Sequence, residues 1–172
     1  MLKIKVSLRQ RLVLYRMRKA KKHSDAKHYD KAFRYYRASA EAGCVRAVCI
    51  MGLMYCQGKG VAKNEYKAFR YLCFSAQNND GEAQFFLGEM YRMGIATEVN
   101  CEQALYWYQQ SAFNPLSNES CLNAQYQLAC MLYRGEGIPP NREMALYWLQ
   151  QAVGAGYEPA EAFCKANHLI LA

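Results

Sequence analysis

The side chains best equipped for chemistry in this chain of 172 residues are its eight cysteines, at 44, 49, 56, 73, 101, 121, 130 and 164, and its three histidines. A metal site or a redox pair needs these groups close together. The sequence has no Cys-x-x-Cys, and His23, His28 and His168 lie near the two ends. A nucleophilic thiol needs a base within reach, and the same three histidines are the obvious candidates. Most of the cysteines fall instead on apolar-periodic helix positions, where a free thiol behaves as a small core residue. The expectation is reduced thiols in a cytoplasmic compartment, with no metal and no cofactor. The pairs Gly58-x-Gly60 and Gly135-x-Gly137 have the look of a phosphate loop but lack the Lys-Ser/Thr that must follow. They read as helix-ending turns, with Asn64, Asn100 and Asn141 opening the next helices. No convergent carboxylate pair and no Ser-His-Asp set stands out. The chain is therefore expected not to be an enzyme and to take no small-molecule substrate.

Charge offers a second kind of chemistry. The net charge is +8. Residues 1–22 hold Lys3, Lys5, Arg9, Arg11, Arg16, Arg18, Lys19, Lys21 and Lys22 with no acid, which leaves −1 for the other 150 residues. Apolar residues at 2, 4, 6 and 8 alternate like a strand; Leu8, Leu12 and Tyr15, with Val13 and Met17, then follow helix spacing. Two readings fit. Either a first helix covers the end of the fold with that apolar stripe, or a basic amphipathic arm makes weak contact with an anionic surface, whether phospholipid, nucleic acid or an acidic protein. The run Leu12-Val13-Leu14-Tyr15 is far short of the roughly 20 apolar residues of a membrane span, so no transmembrane segment is expected.

The elements that would position these groups are written in repeats. Residues 47–76 recur at 83–112, a spacing of 36: Ala47 matches Ala83, Gly52 Gly88, Tyr55 Tyr91, Gly58 Gly94, Asn64 Asn100, Ala68 Ala104, Tyr71 Trp107, and Ser75-Ala76 Ser111-Ala112. A third copy, with Ala124, Ala129, Gly135, Gly137, Asn141, Ala145, Trp148 and Ala152, lies 77 residues after the first, two periods and a 5-residue insertion. Self-similarity at this period marks a solenoid of helix pairs. Each unit is predicted to be a helix of about 12 residues, a Gly-rich turn and a second helix. Tyr29 to Ala42 repeats the second half alone, with Ser24 or Asp25 as its cap and its first half around residues 8–22. Gly52, Gly88 and Ala129 sit where helices must approach closely, because a mid-helix Gly costs about 0.5–1 kcal/mol relative to Ala. The insertion, Pro115 to about Leu122, is predicted to bulge as a surface loop. A last helix from Ala160 to about His168 reads as a C-terminal cap.

The run Ala83-Gln84-x-x-Leu87-Gly88-x-Met90-Tyr91-x-x-Gly94, followed by Gln103-Ala104-x-x-Trp107-x-x-x-Ser111-Ala112, resembles the Sel-1-like repeat, a relative of the tetratricopeptide repeat with a longer period and a Gly-rich inner turn. The resemblance covers residues 29–156 in about three and a half copies. It departs at Ala129, which replaces the usual Gly, and at Leu132, which replaces the usual Tyr. It implies an all-α, right-handed α/α solenoid of antiparallel helix pairs with N- and C-terminal capping helices. The expected domains are a basic N-terminal helix or arm (1–28), the solenoid (29–156) and a capping helix (157–172). The family's usual role implies a non-catalytic adaptor or scaffold binding another protein, often in bacteria; the other binding role is an immunity protein that neutralises a toxin or effector. The stripe opposite the packing positions would line the concave face. Its residues are Arg46, Cys49, Leu53 and Cys56 in the first full repeat, Glu82, Phe85, Glu89 and Arg92 in the second, and Asn123, Tyr126, Cys130 and Tyr133 in the third. The alternative is that Cys49, Phe85 and Tyr126 complete the core.

Overall fold

A computed structural model of the chain describes residues 7–114 and 118–170, so the strand-like alternation at residues 2–6 lies outside the described residues. Every element among the described residues is a helix, and the fold is an all-α solenoid of consecutive helix pairs. The chain divides into two compact units, Met1–Asn78 and Asn79–Ala172.

Unit 1 contains α1 (Leu8–Asp25), α2 (Tyr29–Glu41), α3 (Val45–Gln57) and α4 (Glu65–Gln77). The basic segment is the first helix of a repeat: α1 packs along α2. It opens with a capping box in which the Ser7 hydroxyl accepts from the Gln10 amide at 3.2 Å and the Gln10 side chain accepts from the Ser7 amide at 2.8 Å. The stripe that faces inward is only part of the expected one. Ala20 is buried, with Val13 and Met17 partly so, while Leu8 (85% exposed), Leu12 and Tyr15 point to solvent. The spacing of 8, 12 and 15 is helical, but spacing alone does not say which of two apolar stripes meets the neighbour. Ser24 and Asp25 belong to the last turn of α1, so neither caps α2, whose N-cap is His28 without a side-chain bond.

The repeat grammar explains the rest of the unit. α3 ends because Gly58 takes φ +66°, donating its amide to the Met54 carbonyl, a left-handed step that Gly makes without a Cβ penalty. The second glycine of the turn, Gly60, has another reason: a Cβ there would stand 2.2 Å from the Tyr29 carbonyl oxygen, so only Gly lets the turn sit on the start of α2. The turn closes with the Asn64 side chain accepting from the Lys67 amide at 2.8 Å, which starts α4. Ala47 and Ala68 are fully buried where α3 and α4 cross, and the Ser75 hydroxyl ties α4 to the Val45 carbonyl at 3.3 Å.

Unit 2 repeats this design in α5 (Gly81–Met93), α6 (Cys101–Ala112), α7 (Asn118–Arg134), α8 (Arg142–Gly154) and α9 (Glu158–Ala166). Asn100 and Asn141 cap α6 and α8 as Asn64 caps α4. Ser111, one period after Ser75, donates to the Gly81 carbonyl at 2.8 Å. The insertion does not simply bulge. Residues 115–117 lie outside the described residues, but α7 starts at Asn118 and runs for 17 residues where α3 and α5 run for 13. Most of the extra length is a helical turn, fastened by the Ser111 hydroxyl to the Ser120 carbonyl (3.4 Å) and by the Cys121 thiol to the Ala112 carbonyl (3.0 Å). The core of unit 2 is centred on Tyr108, Leu128, Met131, Trp148 and Leu149, and α9 closes its end with Ala160, Phe163 and Cys164.

Candidate docking surface

The stripe expected to line a groove is dispersed by the fold. Cys49 is 0% and Cys130 4% exposed, so both are core residues and cannot meet a partner. Arg46 is exposed; Leu53 and Cys56 are half-buried on α3. In unit 2, Glu82, Phe85, Glu89 and Arg92 are all half-buried on α5. Phe85 packs on Phe86 and toward Tyr108, at ring separations of 5.3 and 5.9 Å. The third-repeat residues are already covered by the chain's own end. Tyr126 lies 5.8 Å from the Tyr157 ring and 6.0 Å from Phe163; Tyr133 lies 5.4 Å from Phe163; and the Tyr157 hydroxyl donates to the Asn123 side chain. The apolar face at Asn123, Tyr126 and Tyr133 exists to receive α9. Period-based reasoning marks these positions as facing away from their own helix partner, but the next helix of a solenoid takes that same face.

One polar cluster of the stripe is held rigidly. Arg92 Nη2 stands 3.0 Å from Glu89 Oε2, Arg92 Nε donates to the Tyr108 hydroxyl at 3.2 Å, and that hydroxyl donates to the other Glu89 oxygen. Burial, reinforced by the Glu89 carboxylate, holds the Tyr108 phenol well above its ordinary range, so it remains a donor. The Arg92 guanidinium is held charged by its bond to Glu89. With two of the Arg92 donors on Glu89 and Tyr108, this triad braces α5 against α6.

The basic residues of the N-terminal segment are likewise part of a folded surface. Arg16 is half-buried, with Nη1 donating to the Ala38 carbonyl at 2.8 Å, and Lys19 sits 5.6 Å over the Tyr15 ring. Arg9, Arg11, Arg18, Lys21 and Lys22 are exposed. Charge also extends beyond α1. Unit 1 carries 18 basic and 4 acidic residues, a net +14, whereas unit 2 carries 4 basic and 10 acidic, a net −6. A sum near zero over residues 23–172 conceals two oppositely charged bodies.

An open surface appears in unit 1 on the side of the second helices, which sequence reasoning passed over. Between α2 and α4, over α3, lies a cleft of about 660 Å³. Its floor is Val48 and Met51, and its wall is the Tyr55 and Tyr71 rings, stacked at 5.6 Å with an interplanar angle of 5°. Phe74 stands at the edge, 52% exposed. The rim is basic: Lys67 sits 5.4 Å over the Tyr55 ring, Arg70 is exposed, and Arg37 is paired loosely with Glu41 at 3.6 Å. In unit 2 Tyr71 has two counterparts: Trp107 is half-buried as Tyr71 is, and Trp148 is 3% exposed with Phe113 against it at 5.0 Å. A weak signal for the cleft existed in the sequence: the second-helix position two residues before the Ser-Ala pair, Cys73, is followed by Phe74, which breaks the polar pattern of that outer face.

All eight cysteines are free thiols. Burial pushes the Cys56, Cys121, Cys130 and Cys164 thiols up, and Cys73 up to about 11, the reverse of what activates a nucleophile. No three His, Cys, Asp or Glu residues converge on a metal-sized site among the described residues, and no described helix is long and apolar enough to cross a membrane.

Comparison with known proteins accounts for the repeat grammar. The Sel1 repeat family matches residues 26–44, 45–80, 81–112 and 122–157. A Sel1 repeat protein from Oxalobacter formigenes superposes with a TM-score of 0.81 at 23% identity, over 88% of this chain and 61% of that one. A protective antigen present in uropathogenic Escherichia coli strains, with an SLR fold, gives 0.70 at 27% identity over 78% of this chain and 28% of that one. A putative Sel1 repeat protein from Klebsiella pneumoniae gives 0.55 at 22% identity, over 91% and 76%. The chain thus spans less than two thirds of the first two structures it matches. No curated protein matches it. With four repeats matched over most of its length, the chain belongs to the Sel1 repeat family.

Proposed function

We propose that this chain is a non-catalytic adaptor that binds another protein, and that the cleft between α2 and α4 of unit 1 is where it does so. The observation that carries this reading is the half-buried aromatic wall of that cleft with the exposed Phe74 ring at its edge. Phe74 is 52% exposed at the cleft's edge, where unit 2 carries Gln110 and Gln151, and Tyr71 is half-buried beside it. Binding energy concentrates in apolar anchors seated in a pocket with a polar rim, and this cleft offers that arrangement. Membership of a protein-interaction repeat family agrees with it. Free thiols that burial makes less reactive fit a reducing, cytoplasm-like compartment. From the expected stripe, Arg46, Leu53 and Cys56 on α3 remain a second contact surface of unit 1, with Glu82 and Phe85 on α5 their counterparts in unit 2.

The test is capture from host lysate on the intact chain and on Phe74→Asp, followed by titration of each recovered protein with both purified chains. Phe74 is half-exposed, so the charge should leave the fold intact and weaken a cleft-bound partner at least tenfold. Partners that bind both chains equally would remove the cleft from the reading.

A further inference from the structure

We infer that the occupant of the unit 1 cleft is an acidic segment of a partner protein that inserts an aromatic or large aliphatic side chain beside Tyr71. This inference rests on the cleft being the binding surface and adds the chemistry of what binds there. Three features lead to it.

The first is the charge of the rim. Lys67, Arg70 and Arg37 border the cleft against one acid, Glu41, which is spent on Arg37 in an exposed pair. Lys67 is held over the Tyr55 ring by a cation–π contact, so its ammonium is placed at the mouth. Arg70 makes no ion pair among the described residues, and its five donors suit a carboxylate in fork geometry.

The second is the field behind the rim. Unit 1 carries a net +14, so an acidic segment is attracted from beyond contact distance and a basic one is repelled. An acidic segment therefore gains both at the rim and on approach. Unit 2 has a net −6 and offers nothing comparable.

The third is the shape and lining. About 660 Å³ accepts a few side chains and is far too small for a folded domain. Val48 and Met51 on the floor and the stacked tyrosines at the side call for an apolar anchor, and the face of Tyr71 suits an aromatic one at offset or edge-to-face geometry. Polyanions without such an anchor, duplex nucleic acid with its bases stacked inside included, would satisfy the rim and leave the floor empty.

A random peptide display library selected on the intact chain tests this directly. The selected peptides are then synthesised and titrated by fluorescence anisotropy against the intact chain, Lys67→Glu/Arg70→Glu, and Phe74→Asp. Both rim residues are exposed, so thermal melts of the variants should match the parent. The inference expects enrichment of Asp and Glu around one Phe, Trp or Leu. It expects at least tenfold weaker binding to the rim variant and affinity that falls between about 50 and about 300 mM salt as screening grows. Peptides without acidic enrichment that lose affinity only for Phe74→Asp would overturn the acidic occupant while leaving the cleft as the docking surface. Peptides indifferent to both variants would overturn the occupant and the cleft together. Salt-dependent dimerisation of the chain in the ultracentrifuge, abolished by the rim variant, would assign the cleft to a second copy's acidic unit and overturn the peptide.

Discussion

Gly88 on α5 lies against one side of the Tyr108 ring on α6, so closely that a Cβ on Gly88 would stand 2.8 Å from both Cδ1 and Cε1. The ring cannot retreat easily, because its hydroxyl is gripped by Glu89 and Arg92 on the same helix as the glycine. At the matching position of unit 1, Gly52 faces Leu72 Cγ at 3.0 Å, and Leu72 is a softer, aliphatic neighbour. The third repeat carries Ala129 there. Gly88→Ala should therefore destabilise by about 1–3 kcal/mol through overpacking, reduced by the gain in helix propensity of roughly 0.5–1 kcal/mol. Gly52→Ala should lie near neutrality. Paired thermal melts check this, and equal shifts for the two variants would show that the Tyr108 contact does not set the requirement.

A second expectation concerns the first-helix caps. Asp80 caps α5 by accepting from the Ala83 amide at 3.0 Å, with φ −80° and ψ 110°. One period earlier Cys44 holds almost the same backbone, φ −80° and ψ 102°, but its side chain makes no cap bond. Cys44→Asp needs no backbone change and adds an acid to the N-terminus of a helix in a basic unit. It should stabilise by about 0.5–1 kcal/mol, while Asn100→Ala, which removes an existing cap, should cost about 1 kcal/mol. Urea unfolding of the two variants reads opposite shifts in midpoint if cap geometry is what matters.

The parts of this fold legible in the sequence are those set by local chemistry. Gly58, Asn64 and the buried alanines announce the turn, the cap and the helix crossing by residue type, because each position tolerates few alternatives. What a helix face meets is set by the neighbouring helix, and periodicity does not carry that. Leu8, Leu12 and Tyr15 have the spacing of a buried stripe and face water, while Val13, Met17 and Ala20 do the packing. Tyr126 and Tyr133 have the position of groove residues and are covered by Phe163 and Tyr157. The cleft was hidden for the same reason: it is a gap between second helices two elements apart, and residue types report on gaps only weakly.

Alkali should loosen the fold. Burial pushes the Cys73 thiol up to about 11 from an ordinary 9.0, and burial with a hydrogen bond to Cys130 pushes the Tyr126 phenol up to about 12 from 10.0. Both groups are harder to ionise folded than unfolded, so the folded chain holds more protons above the unfolded values. The stability they contribute is complete below pH 9 and is lost as pH rises toward 11 and 12. The urea midpoint should fall steadily from about pH 9 upward, and alkylation of Cys73 by iodoacetamide in the folded chain should stay slow until about pH 11. A flat midpoint across that range would contradict the sheltered placement of both groups.

The seat of α9 provides the sharpest separation between packing and binding. Tyr126 meets Tyr157 and Phe163, and Phe163 in turn takes the Tyr133 ring and the Arg134 guanidinium, 5.9 Å above its face. Phe163 itself is 9% exposed. Tyr126→Ala removes two ring contacts and leaves α9 with fewer anchors, so it should cost about 2–4 kcal/mol and act through unit 2. Hydrogen exchange should show the amides of α9 losing protection first, since at nine residues it is the shortest of the described helices. Phe163→Leu keeps an apolar anchor and should cost less than Phe163→Ala. If Tyr126→Ala weakened partner binding while α9 kept its protection, the tyrosine would belong to a docking face after all, and the cap would be held mainly by Ala160 and Cys164.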